Sequence, residues 1–122
     1  MRIVISLFCF VQLSVAAYGQ IELSSIGKTY FQDFDSLASS DRSSFVPSGW
    51  AFAESGTSAN ATYTAGIGSS TTGDTYSFGS TGSADRAFGG LRSGSLIPTL
   101  GASFRNNTIA IAILFSSSPF FN

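Results

Sequence analysis

Trp50-Ala51-Phe52-Ala53-Glu54 alternates large and small side chains, so Trp50, Phe52 and Glu54 share one face of an extended chain and Ala51 and Ala53 the other. That period of two predicts a β-strand. Immediately upstream, Phe45-Val46-Pro47-Ser48-Gly49 joins a proline of fixed φ to a freely turning glycine and marks the end of a loop. Residues 36–44 are polar and turn-prone. Before them, Lys28-Thr29-Tyr30-Phe31-Gln32-Asp33-Phe34-Asp35 puts Tyr30, Gln32 and Phe34 on one face of a predicted first strand, with residues 20–27 as a lead-in. Downstream, Thr62-Tyr63-Thr64-Ala65 and Thr75-Tyr76-Ser77-Phe78-Gly79 are two short strand candidates in a stretch dominated by small polar residues, with Gly66, Gly68 and Gly73 as turns. A low-complexity linker is the other reading of residues 55–83, against which the regularly spaced aromatic residues argue for packing. Arg86-Ala87-Phe88-Gly89-Gly90-Leu91 and Thr99-Leu100-Gly101-Ala102-Ser103-Phe104 add further candidates. The apolar run Ile109-Ala110-Ile111-Ala112-Ile113-Leu114-Phe115 fits a strand buried on both faces. No capped 3.6-residue periodicity competes with these, and a series of short strands punctuated by turns predicts an all-β sandwich.

At the other end, Arg2, an apolar stretch over residues 3–15 and the small residues Ala16, Ala17 and Gly19 have the layout of a secretory signal. Cleavage after Gly19 would release Gln20; cleavage after Ala17 would release Tyr18. The run is short for the ~20 residues of a bilayer span, so no stable membrane anchor is expected after cleavage. The expected location is extracellular or in the cell envelope. Cys9, the single cysteine, lies inside this segment and leaves no disulfide for the mature chain. About 100 residues then remain, enough for one small domain. Charged residues make up 11% of the chain and the net charge is −1, so there is no field to collect nucleic acid.

The chain contains no histidine, which removes Ser-His and Cys-His nucleophilic chemistry and the usual zinc sites together. Carboxylate pairs drawn from Asp33, Asp35, Asp41, Glu54, Asp74 and Asp85 are the remaining route to glycoside hydrolysis, and solvated surface acids are the plainer reading. No enzyme is expected. Asp33, Asp35 and Asp74 are candidate calcium ligands, because loop carboxylates and carbonyls at the rim of extracellular β-domains suit that ion. Trp50, Tyr63 and Tyr76 are candidates for an aromatic platform under a sugar ring, with core packing as the alternative. Arg86, beside a Gly-Gly pair, is a candidate partner for Glu54 or an acid of the first strand. Asn60-Ala61-Thr62 and Asn106-Asn107-Thr108 match the glycosylation sequon.

Five segments together carry a family likeness: Phe31-x-Asp33-Phe34-Asp35-x-Leu37, Pro47-Ser48-Gly49-Trp50, Gly73-Asp74-Thr75-Tyr76-Ser77-Phe78-Gly79, Arg86-Ala87-Phe88-Gly89-Gly90-Leu91, and Pro98-Thr99-Leu100-Gly101 through Asn106-Asn107-Thr108. The pattern resembles an N-terminal domain of secreted multidomain proteins of Bacteroidota and related bacteria. Its opening is also similar to cleaved-adhesin and MAM-like jelly rolls. The resemblance implies a jelly-roll-like sandwich, here partial and preceded by a signal helix over residues 1–19, with residues 20–122 as the domain. It implies adhesion or carbohydrate contact, with glycans or cell-surface components as partners. The likeness ends near Thr108, so the domain is expected to be incomplete beyond it. Two other roles fit the same likeness: a non-functional truncated fragment of a larger secreted protein, and an accessory domain of an extracellular hydrolase.

Overall fold

The computed structural model describes residues 19–109. The predicted signal segment up to residue 18 and residues 110–115 of the last predicted strand lie outside the described residues. Eight strands and no helix occur among those described: β1 (Ile21–Leu23), β2 (Arg42–Ser43), β3 (Trp50–Ser55), β4 (Tyr63–Gly66), β5 (Asp74–Phe78), β6 (Ala87–Leu91), β7 (Ile97–Ala102) and β8 (Phe104–Asn106). The fold is all-β. One sheet has the order β2-β4-β5-β6, β3 pairs with β7 alone, and β1 pairs with β8.

The alternation around Trp50 gives β3, antiparallel to β7 with Phe52 opposite Leu100 and Glu54 opposite Pro98. In the four-stranded sheet β4 and β5 run parallel, Thr64 beside Tyr76, while the outer pairings are antiparallel. Side chains alternate across a strand, so Tyr63, Thr75, Ser77 and Phe88 share one face of this sheet and Thr64, Asp74 and Tyr76 the other. The first face meets β3 through aromatic rings. Phe52, Tyr63 and Phe88 form a triangle with centroids 5.8–6.0 Å apart, each pair near edge-to-face. Phe34 extends the cluster to Trp50 at 4.7 Å and to Phe88 at 5.8 Å.

The first predicted strand, residues 28–35, is not a strand. Tyr30, Gln32 and Phe34 do turn inward while Phe31, Asp33 and Asp35 stay exposed, as alternation requires, but the segment has no ladder partner. It is a strap pinned by side chains. The Tyr30 hydroxyl accepts the Trp50 indole N–H at 2.9 Å and donates to Gln32 Oε1 at 2.9 Å, and its ring meets Phe104 edge-on. Phe34 ends the extended run with φ 63°, a left-handed conformation unusual for an aromatic residue, held by the ring contacts above and by a turn in which Leu37 N–H reaches its carbonyl. The actual first strand lies in the segment read as a lead-in, and β2 lies in the segment read as loop. Both are short and exist because a distant partner supplies the ladder: β8 for β1 and β4 for β2.

Candidate functional site

The free side of β3 borders a cleft. Ser103 N–H donates to Gly49 C=O at 2.7 Å, which sets the hydrogen-bonding phase of the β3–β7 ladder. Pro98, lacking an N–H, sits in a position where the ladder needs none from it. Ala51, Ala53 and Ser55 therefore direct their backbone groups to β7, and Phe52 and Glu54 direct theirs to the open edge. Along that edge runs a cleft of about 480 Å³ lined by Ser44, Val46, Phe52, Glu54, Asn60 and Ala61, among others. A second hollow of about 260 Å³ shares Ser44 and Val46 and continues past Phe45, Ser48 and Trp50. Phe45 is held by its backbone, its N–H bonded to Ser43 Oγ at 3.1 Å and its carbonyl accepting the Tyr63 hydroxyl at 2.8 Å. Its ring is 61% exposed.

Glu54 lines the cleft, and its carboxylate is fully engaged. Oε1 accepts Thr75 N–H at 2.9 Å and Thr75 Oγ1 at 2.8 Å; Oε2 accepts Asn60 N–H at 3.0 Å and Asn60 Nδ2 at 2.9 Å. This joins β3 to the four-stranded sheet. It also consumes Asn60, whose Oδ1 accepts the N–H and hydroxyl of Thr62, so the first sequon is folded into a local turn around the carboxylate.

On the far face of the same sheet, Asp74 accepts Thr64 Oγ1 at 2.7 Å and pairs with Arg42 at 2.8 Å, the single ion pair among the described residues. Burial works to raise its pKa, but the hydrogen bonds from Thr64 and Arg42, the neighbouring Glu54 carboxyl and the Arg42 charge together outweigh it and hold the carboxyl below its ordinary value.

The other expected site residues are dispersed. Tyr63 has no exposed surface, and its hydroxyl bridges Ala38 N–H and Phe45 C=O. Tyr76 is 4% exposed because the crossover between β4 and β5 folds over it, its hydroxyl meeting Ser70 Oγ and Thr72 C=O at 2.9 Å. Tyr63 and Tyr76 also lie on opposite faces of their sheet. The three rings therefore form no common platform, and only Trp50, half-buried, reaches the groove. Asp33 and Asp35 are exposed together on the strap, where Asp33 Oδ1 caps Asp35 N–H at 3.1 Å, and Asp74 is tied to Arg42 elsewhere. Among the described residues no three His, Cys, Asp or Glu side chains gather to hold a metal. Arg86 pairs with neither Glu54 nor an acid of the strap; its guanidinium hydrogen-bonds to Ser77, Ser80 and Gly66. No family model, curated protein or solved structure matches the chain. No helix among the described residues is long and apolar enough to cross a membrane.

Sequence reasoning missed Ser44, Phe45 and Val46 as groove residues. The available signal was a lone aromatic in a turn-prone stretch, where burial by a strand partner is not expected.

Proposed function

We propose that this chain is a secreted, non-enzymatic β-sandwich module, partly of jelly-roll type, that makes adhesive or carbohydrate contacts through the groove beside β3. The carrying observation is Phe45. Phe45, 61% exposed, lines the same hollow as half-buried Trp50, Ser44 and Ser48, which offers an apolar face with hydroxyl-bearing residues beside it. Sugar recognition uses that combination: CH groups cover a ring while hydroxyls find polar partners. Two further facts favour contact over catalysis. Glu54 and Asp74 spend their oxygens on scaffold hydrogen bonds, and the chain has no histidine to act beside them. The likeness to N-terminal domains of secreted proteins, together with the signal-like first residues, supports export.

Glycan-array and polysaccharide pull-down binding tests the reading. Phe45→Ala is expected to abolish retention while leaving the fluorescence of Trp50 and the unfolding transition unchanged, because the ring packs on little. Wild-type retention by folded Phe45→Ala would remove the groove from the reading, and failure of the wild-type protein to bind any glycan would remove the carbohydrate branch.

A further inference from the structure

Arg86 stands immediately before β6 and is 4% exposed. Its Nε donates to Ser77 Oγ at 2.9 Å and its Nη1 to Ser80 C=O at 3.1 Å; its Nη2 donates to Ser77 C=O and to Gly66 C=O, the latter at 3.4 Å. Every acceptor is neutral. Asp85, next in the chain, is exposed, and the ion pair of the described residues is Arg42–Asp74. A full charge is thus withdrawn from water against dipoles alone, an arrangement that buried ions ordinarily avoid by pairing. A guanidinium carries five N–H groups and four are engaged, leaving one on Nη1.

Arg86 lines a hollow of about 200 Å³ together with Ser39, Ser40, Ile67, Gly79 and Thr81. Gly79 is required for the approach, since a Cβ there would stand 2.6 Å from Nη1 and 2.5 Å from the Asp85 carbonyl oxygen. The side-chain hydroxyls of Ser39, Ser40 and Thr81 make no hydrogen bond within the described residues. No carboxylate lines the hollow. It shares no lining residue with the groove beside β3.

We propose that this hollow is an oxyanion site, in which the free Nη1–H of Arg86 and the hydroxyls of Ser39, Ser40 and Thr81 hold a sulfate or carboxylate group. The buried cation supplies the charge that the sparsely charged surface lacks, and donor-bearing residues from three segments around one hollow suit a planar or tetrahedral oxyanion rather than a cation. The group is either a free ion or the charged substituent of an acidic sugar, and the two are separated by titrating with sodium sulfate and with sodium glucuronate.

The test is a two-dimensional NMR titration of the 15N-labelled protein, following the Arg86 Nε–H and the amides of residues 39–40, 66–67 and 79–81, with ionic strength held constant by sodium chloride. Saturable shifts confined to these signals are expected. Tighter saturation by glucuronate assigns the site to an acidic sugar, and tighter saturation by sulfate to a free or ester-borne sulfate. Arg86→Gln would confuse loss of binding with loss of the fold, so the decisive variant is Ser40→Ala/Thr81→Val, which leaves the guanidinium and its four bonds intact. It should weaken binding by about tenfold with an unchanged melting temperature in chloride alone. Shifts that never saturate with either anion, or equal affinity in the double variant, would overturn the assignment.

Discussion

Replacing Glu54 tests whether the two sheets are joined by one carboxylate. Its four accepted hydrogen bonds reach a fully buried Thr75 on β5 and Asn60 in the loop after β3. Hydrogen bonds to a charged group contribute about 1.5–3 kcal/mol each, bonds to one carboxylate are not additive, and each buried donor left unsatisfied costs about 1–3 kcal/mol. Glu54→Ala is therefore expected to destabilise by about 4 kcal/mol. Glu54→Gln keeps one accepting oxygen. That oxygen should turn to Thr75, whose N–H is otherwise left with Asp74 Oδ1 at 3.0 Å, and present an NH2 to the donors of Asn60, costing about 2–3 kcal/mol. Thr75→Val removes one donor without changing shape, so the cycle of Glu54→Gln, Thr75→Val and the double variant should show a coupling of about 1 kcal/mol. The assay is urea unfolding at neutral pH followed by Trp50, the one tryptophan of the chain, whose indole is bonded to Tyr30. A cost below about 1 kcal/mol for Glu54→Ala, at unchanged m-value, would show that aromatic packing alone holds the sheets together.

Three other perturbations probe separate parts of the frame. Asp74 titrates below its ordinary value when folded and at that value when unfolded, so its stabilisation is complete above about pH 4 and lost as pH falls through the folded value. Urea midpoints between about pH 5 and pH 2 should fall more steeply for the wild type than for Asp74→Asn. Tyr63→Phe strands the Ala38 N–H and the Phe45 carbonyl around a site with no exposure, and calorimetry should show a loss of about 1–3 kcal/mol. Gly49→Ala meets both a φ of 83° and a Cβ position 2.5 Å from Ile21 Cγ1, so it should cost about 2–4 kcal/mol in chemical denaturation and weaken the β1–β8 pairing first.

What the sequence made legible was whatever one strand encodes by itself. β3 follows from the Trp50-Phe52-Glu54 alternation, and β5 from Thr75-Tyr76-Ser77-Phe78, because each buries a face within a few residues of its own turn signals. Inward and outward facing was also readable along residues 28–35, yet alternation reports only that one side is covered and not that a strand lies alongside. Ladder partners are set at long range. The candidate at residues 99–104 becomes two strands because Ser103 changes partners, its N–H going to Gly49 and its carbonyl receiving Ile21 N–H. The candidate site was less legible for the same reason. A list of acids and aromatics identifies chemical types, whereas whether Asp74 meets Arg42, Glu54 meets Thr75, or Tyr76 is covered by its own crossover depends on the register of β4 against β5.

That distribution of charge makes a last prediction about recognition. Glu54, Asp74 and Arg86 are absorbed into the frame, and the groove beside β3 is left with Phe45, Val46, Trp50 and the hydroxyls of Ser44 and Ser48. Contacts of that kind gain from apolar burial and neutral hydrogen bonds, which salt screens little, whereas exposed ion pairs lose most of their attraction beyond a Debye length of about 10 Å at 0.1 M. Raising sodium chloride from about 0.05 M to about 0.5 M should therefore change glycan retention in the groove by less than about twofold. Binding at the Arg86 hollow should respond differently, because the attraction between a guanidinium and an anion is screened by added salt. Retention of an uncharged glycan by the wild type should therefore stay nearly constant with salt, whereas sulfate binding followed by NMR should weaken with salt in Phe45→Ala as in the wild type. A tenfold loss of groove binding across that range would mean that charged groups carry its affinity, and the assignment of Phe45 as the contact residue would fall.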